Sequence, residues 1–341
     1  MTSKIPLIID CDPGVDDAVA LFLAFASPEF EIMAVTTVAG NVGPGRTAHN
    51  ARIIRELAGR QDVPVFAGST RPMVRPPVEA ANIHGESGLG PLELFEPASP
   101  LAPGHAVLAI VDMVMSRPPR SVTMAVTGPM TNLALAILLE PAMVEHLGPV
   151  IIMGGARSEG GNITPTAEFN VFADPHAAQV VFSSALEMVV FGLDATHQVR
   201  ATAARTSALR RADTVAAKTT ALLLDFANEI EFAMTGLEGT PLHDPCTIVW
   251  LLQPDLFETR PCAITVETSS PVTLGATSVN FRLKDPAAST CHWVMRSDAD
   301  AVFQLLTERL RAGGRKSAAR RKTSAPASRS AASRQPARHV S

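Results

Sequence analysis

Four aspartates fall within eight residues near the start of the chain: Asp10, Asp12, Asp16 and Asp17, in the stretch IIDCDPGVDDAVALFLAFA. Carboxylates this close repel one another, and any that is partly buried must be paired or must bind a cation. A hard divalent metal held by oxygen ligands meets that need, with Ca²⁺ favoured over Mg²⁺ where most ligands come from protein. The competing role is a solvated helix N-terminus, where aspartates cap the backbone and offset the macrodipole. One or two would fit that role. Four, with Asp10 and Asp12 at the end of an apolar strand, fit it poorly. Pro13-Gly14 makes a tight turn that folds Asp12 back toward the helix start carrying Asp16 and Asp17.

Two other constellations carry chemistry. Leu242-His243-Asp244-Pro245 precedes the apolar run Cys246–Leu252. Pro245 at the first helical position places Asp244 as a helix cap, while a His beside an Asp is also a fitting acid next to a metal ligand. In the loop from Gly161 to Pro175, Asn162 and Asn170 bracket Glu168 ahead of a helix capped by Asp174. Neutral amides around one carboxylate suit a polyhydroxyl ligand such as a sugar, although Asn, Gly and Pro are also ordinary loop residues.

The elements that must position these residues alternate. The pattern predicts strands at Pro6–Ile9, Glu31–Val38, Ser121–Val126, Val150–Met153 and Met188–Gly192. Helices are predicted at Asp16–Ala26, Gly45–Ala58, Met130–Leu139 and Asp174–Phe182. Short apolar strands alternating with helices imply an α/β fold: a mainly parallel, Rossmann-like central sheet flanked by helices on both faces. Ligands of such sheets bind beyond the carboxyl ends of the strands. Asp10/Asp12, Gly40-Asn41, Thr127-Gly128, Met153-Gly154-Gly155 and Asp194 all follow strands and are delivered to one rim.

The chain has 341 residues, 46% hydrophobic, enough for a sizeable core. No apolar run approaches the roughly 20 residues needed to span a bilayer, and the N-terminus enters a strand too soon for a secretory signal. Cys11, Cys246, Cys262 and Cys291 lack framework spacing and read as free thiols of a cytoplasmic protein. The stretch 315–341 holds eight Lys/Arg and no acid, leaving the body with 21 basic against 33 acidic residues, a charge of −12. We therefore divide the chain into one large domain, 1–314, and a disordered Ala/Ser/Arg-rich tail, 315–341. The tail is either a basic arm for an acidic partner or a dispensable solvated extension. The acidic body disfavours nucleic acid as the main partner.

DCDPGVDD, followed by TVAGN (37–41), His84-Gly85-Glu86, VIIMGG (150–155), the Asn162/Glu168/Asn170 loop and His243-Asp244-Pro245, resembles the inosine-uridine preferring nucleoside hydrolase family. The resemblance runs in order from about Ile5 to at least Pro245. It implies Ca²⁺-dependent hydrolysis of the N-glycosidic bond of ribonucleosides, by a homodimer or homotetramer. The Ca²⁺ ligands would be Asp12, Asp17, Asp244 and the carbonyl of Thr127, with Asp12 also the base for the metal-activated water and Asp10 supporting the cluster. Asp16 and Asn41 would meet the 2′- and 3′-hydroxyls, Asn162, Glu168 and Asn170 would bind the ribose, and Met153 would contact the sugar. His243 would protonate the leaving base, and His84 lies in a loop that would close over it. The chemistry agrees, since the reaction passes through an oxocarbenium-like cation that carboxylates stabilise.

The chain departs from the family in two places. One residue more than the family pattern separates Met153 from Asn162. The segment before His243 has no tyrosine, where the best-known branches place Tyr with Arg or Gln against the base; Asn228, Glu231, Phe232, Thr235 and Glu238 stand there instead. Pyrimidine or broad specificity is expected ahead of a purine-preferring nucleosidase, whose purine-specific branch stacks the base between tryptophans and lacks the HDP histidine. Trp250 and Trp293 stand off those positions. An aspartate-nucleophile phosphotransferase also starts with a strand and DxD, but nothing in it requires the Asn/Glu/Asn loop or HDP. A non-catalytic ribonucleoside- or metal-binding protein on the same fold is the remaining alternative.

Overall fold

Successive residues of a strand face opposite sides of its sheet, and the first strand shows what that demands here. β1 (Ile5–Cys11) sends Leu7, Ile9 and Cys11 into one hydrophobic core and Ile8 into another, all fully buried. A strand apolar on both sides needs helices over both faces of a parallel sheet. The structure, a computed structural model, describes residues 3–322. The further strands are β2 (Phe30–Thr37), β3 (Val65–Ala67), β4 (Val122–Val126), β5 (Leu147–Met153), β6 (Met188–Phe191), β7 (Arg200–Ala201), β8 (Thr240–Pro241), β9 (Phe257–Pro261), β10 (Ala263–Val266), β11 (Thr277–Asn280) and β12 (Cys291–Ser297). Eight of them form one sheet in the order β3-β2-β1-β4-β5-β6-β12-β9, parallel throughout except for the antiparallel edge strand β9. The expected α/β class and mainly parallel sheet are what is observed.

The sheet order runs outward in both directions from β1 and β4, so their loops lead to opposite faces and leave a crevice beyond the strand ends. Asp12 follows β1 and Thr127 follows β4, on the two lips of that crevice. The helix Val15–Ala26 behind the aspartates is buried on nearly every side. It lies under the helices Val215–Thr235, Pro245–Leu252 and Ala299–Lys322, which is why its sequence is apolar all round rather than striped. The helices Ala106–Met115, Thr131–Leu139 and Pro175–Phe182 cover the opposite face.

The ends of the elements expected from sequence coincide with those observed or differ by at most three residues. One difference matters: β1 continues to Cys11, so Asp10 lies inside the strand, opposite Thr36 of β2 and Val126 of β4. Within the strand the Asp10 carboxylate finds one hydrogen-bond donor on the neighbouring β2, Thr36, and a second on the helix Thr131–Leu139, Asn132. The last described helix reaches Lys322, past Arg315 where the tail is expected to begin, and 323–341 lie outside the described residues. All four cysteines are free and buried. Among the described residues no helix is long and apolar enough to cross a membrane.

Trp293 of β12, fully buried, fills the space beneath two glycines that follow strands on the site side. A Cβ added to Gly192 would come within 2.1 Å of its indole, and one on Gly155 within 3.3 Å. Gly192→Ala should therefore destabilise the fold by about 1–3 kcal/mol. The double variant with Trp293→Phe should lose less than the sum of the two single changes, because the smaller ring makes room for the methyl. Urea unfolding of the four proteins checks this; strict additivity would show that the two residues do not constrain each other.

Candidate active site

Each aspartate of the first turn is held by neutral donors. Asp10 Oδ1 accepts from the Thr36 hydroxyl at 2.6 Å and from Asn132 Nδ2 at 2.8 Å. Asp12 Oδ2 accepts from the Asn41 backbone N–H at 2.7 Å. Asp17 Oδ2 accepts from the Gly14 N–H at 3.0 Å and Asn41 Nδ2 at 3.1 Å, while Oδ1 accepts from the Thr127 hydroxyl at 2.9 Å and the Asp12 N–H at 3.3 Å. Gly40 and Gly128 let their loops close on Asp12, since a Cβ on either would lie 2.0 Å or 2.7 Å from its carboxylate oxygens. Asp244 stands at the N-terminus of the helix Pro245–Leu252, yet its side chain makes no capping hydrogen bond. It meets the carboxyl of Asp16 instead. Oxygens of Asp16, Asp17 and Asp244 lie within 4.8 Å of one another, and Asp12 stands outside that trio.

Burial dominates the electrostatics. Asp10, Asp12 and Asp17 are fully enclosed and Asp244 nearly so. Among the described residues no Lys or Arg pairs with any of these five carboxylates; the imidazole of His84 approaches them, its Nδ1 4.0 Å from Asp16 Oδ1. Burial pushes the Asp10 carboxyl up to about 7, and burial with the neighbouring Asp16 charge pushes Asp17 up to about 6. Asp12 and Asp244 are raised well above the carboxylate range, first by burial and then by the charges around them. Asp10 Oδ2, Asp12 Oδ1 and Asp16 Oδ1 are buried without a hydrogen-bond partner. Such a group of oxygens can hold a cation, or can stay partly protonated without one.

The loop that carries Asn162, Glu168 and Asn170 reaches this cluster through amides. Asn170 Nδ2 donates to the Thr127 carbonyl at 2.7 Å and approaches the Met153 carbonyl at 3.2 Å and sulfur at 3.6 Å. Glu168 caps the helix Phe169–Ala173, accepting from the N–H groups of Asn170 and Val171, and also from that of Gly155 at 2.9 Å. Asn162 is exposed and tied only to the Phe169 N–H, at 2.9 Å, so it stands apart from the cluster. His84 lies against the Pro13-Gly14 turn, its Nδ1 accepting from the Val15 N–H at 3.1 Å, and burial pulls its pKa down to about 4.

His243 is held by Thr196, whose hydroxyl lies 2.8 Å from Nδ1, and the His197 ring flanks it at 5.8 Å between centroids. Burial, with His197, His84 and Arg200 adding, pulls its pKa down to about 3, so it is neutral near pH 7. In the segment before it, Asn228 ties its helix to β7 and β8 through Ala201 and Thr240, and Glu231 pairs with Arg200 at 2.7 Å. Phe232 is 64% exposed, and Thr235 and Glu238 are exposed as well. Thr36, Asn132 and Thr196 escape a reading of motifs. Asn132 had a signal: it is a fully buried amide on a helix face otherwise filled by Leu133, Ala136 and Ile137.

Comparison with known proteins bears on this site. The family model described as inosine-uridine preferring nucleoside hydrolase matches residues 7–304. A pyrimidine-specific ribonucleoside hydrolase, RihA of Photobacterium profundum, is 43% identical over 307 residues, covering 89% of this chain and 98% of that protein. The inosine-uridine preferring nucleoside hydrolase of Leishmania major is 39% identical over 306 residues, covering 89% of this chain and 96% of the other. Among solved structures, the purine-preferring ribonucleoside hydrolase from Gardnerella vaginalis superposes with a TM-score of 0.85 at 30% identity, covering 91% of this chain and 99% of that one. A match that takes in the aspartate turn, the Glu168 loop and the distant Asp244 together places the chain in the inosine-uridine preferring nucleoside hydrolase family, enzymes that hydrolyse N-glycosyl compounds.

Proposed function

We propose that this enzyme cleaves ribonucleosides to ribose and free base with Ca²⁺ as cofactor, favouring pyrimidine nucleosides or a broad range over purines alone. The observation that carries the reading is the group of buried carboxylates with no Lys or Arg among them, three of whose oxygens have no partner. An all-oxygen donor set of this charge suits Ca²⁺. The ion would be held by Asp17, Asp244, the free Oδ1 of Asp12 and the second lone pair of the Thr127 carbonyl. When bound, Ca²⁺ supplies Lewis acidity that lowers the pKa of water and takes up vicinal hydroxyls, favouring ribose over deoxyribose.

The residues then divide the work. Asp12 takes the proton of the attacking water. Asp10, anchored by Thr36 and Asn132, supports the turn that carries it. Asp16 and Asn41 bind the 2′- and 3′-hydroxyls, Asn162, Glu168 and Asn170 the rest of the ribose, and Met153 packs on the sugar. The buried carboxylates stabilise positive charge as the ribosyl cation forms. His243, neutral in its buried setting, donates an N–H hydrogen bond to the leaving base and would hand it a proton only after taking one up as the imidazolium, and the His84 loop closes over it. The His243-Asp244-Pro245 motif, and the RihA relative that carries a pyrimidine-specific name, support the base preference. The proposal includes a homodimer or homotetramer acting in the cytoplasm.

Three outcomes test the reading. The purified enzyme should release ribose from uridine, cytidine or inosine and leave 2′-deoxyuridine nearly untouched, and Asp12→Ala should abolish turnover; no ribose from any nucleoside with Ca²⁺ present would sink it. In the chelated protein, the raised carboxyls of Asp10 and Asp17 favour the folded state below their unfolded pKa, and that contribution is lost as pH rises toward about 6–7. Thermal unfolding should therefore show a larger Ca²⁺-induced rise in Tm at pH 7.5 than at pH 5, and an equal rise at both would argue against binding by these carboxylates. Finally, His243→Ala should lose on the order of 10² in kcat/KM on nucleosides but spare p-nitrophenyl riboside, whose leaving group needs no proton. Equal loss on both would remove His243 as the acid.

A further inference from the structure

Thr196 ends the short helix Leu193–Thr196 after β6, and its side chain is fully buried. Among the described residues its hydroxyl makes one hydrogen bond, to His243 Nδ1 at 2.8 Å. The backbone that carries it is rigid: the Thr196 N–H donates to the Gly192 carbonyl at 3.2 Å, and Gly192 is packed on Trp293. His197 beside it is anchored by Glu159, its Nδ1 3.0 Å from Oε2, so the ring flanking His243 is held as well.

A neutral imidazole carries its hydrogen on one nitrogen or the other, and the hydrogen bond at Nδ1 decides which. If Nδ1 carries it, Nδ1 donates to the Thr196 oxygen. The hydroxyl's own hydrogen then has no acceptor in a buried place, and Nε2 offers only a lone pair. If the hydroxyl donates to Nδ1, both groups are satisfied and the hydrogen resides on Nε2. A buried donor without an acceptor bears the full desolvation cost of that group, so the second arrangement prevails. We infer that Thr196 is a positioning residue whose hydroxyl donates to His243 Nδ1 and fixes the Nε2–H tautomer, so that His243 meets the leaving base as a donor. The consequence for the leaving base rests on the function proposed above. The tautomer itself does not.

The two parts can be tested separately. In protein labelled with ¹⁵N-histidine, at pH 8 and with Ca²⁺ present, the ring-nitrogen shifts of His243, identified by their absence in His243→Ala, should report Nε2–H. In Thr196→Val, which keeps the shape and removes the donor, they should move toward Nδ1–H or an average of the two. An Nδ1–H pattern in the unaltered protein, or no change in the variant, overturns the assignment. In kinetics, Thr196→Val should lose on the order of 10² in kcat/KM toward uridine or inosine and less than about threefold toward p-nitrophenyl riboside, with Thr196→Ser recovering most of the loss. Equal losses on both substrates, or no recovery in Thr196→Ser, would mean a merely structural role and overturn it. Should the unaltered enzyme release no ribose from any nucleoside, the proposed function fails and the ring-nitrogen shifts alone decide the role of Thr196.

Discussion

Mutual repulsion among buried carboxylates is the constraint on which the rest of this structure depends. Five acids converge where the sheet order reverses between β1 and β4, and among the described residues no Lys or Arg offsets them. A pair of buried like charges is costly to maintain, and the group answers by raised proton affinity or by holding a cation. The surrounding fold keeps that cost from being relieved in any other way. The β1–β4 pair cannot splay, because β2 and β5 pair on either side. The helix bearing Asp16 and Asp17 cannot withdraw, because it is buried under three others.

The choice of donors follows from the same constraint. Asn41, Asn132, Thr36, Thr127 and the amides of Gly14 and Asp12 orient the carboxylates without neutralising them. An arginine at any of these places would form a strong bidentate pair and would lower the local negative charge that a cation needs. Neutral donors orient one oxygen of Asp10 and of Asp12 and leave the other oxygen unpartnered. Asp244 follows the same logic at the far end of the chain. It occupies a helix N-terminus yet does not cap it, so its carboxyl stays available to the cluster.

How much of this was legible depends on where each signal resides. The parallel sheet could be read because β1, β4 and β5 are apolar on both faces, and the rim could be read because glycines, aspartates and amides follow those strands. β3, although it follows a helix, is only three residues long, and the C-terminal β9 and β12 break the pattern, since β12 joins the sheet after the β10–β11 hairpin and β9 runs antiparallel. The aspartate turn and the HDP motif stand out as clusters along the chain. Asn132 and Thr196 do not, because each meets its partner across long sequence separation and looks locally like any polar residue in a helix. Capping roles were harder still: Asp244 and Glu168 both sit where a cap belongs, and Glu168 alone forms capping bonds.

The two halves of the cleft differ in how tightly their residues are committed. In the Glu168 loop, Glu168 and Asn170 hydrogen-bond to backbone that belongs to β5 or to the loops just beyond β4 and β5, so changing either disturbs the sheet ends and the aspartate cluster together. In the segment before His243, Asn228 and Glu231 dock the end of one helix onto β7 and β8, through Ala201, Thr240 and Arg200. That docking can be rebuilt with other side chains at no cost to the carboxylates. A family that keeps its sugar chemistry while its members are named for pyrimidine, inosine-uridine or purine substrates would vary where the fold permits it, and here that is the helix end before His243.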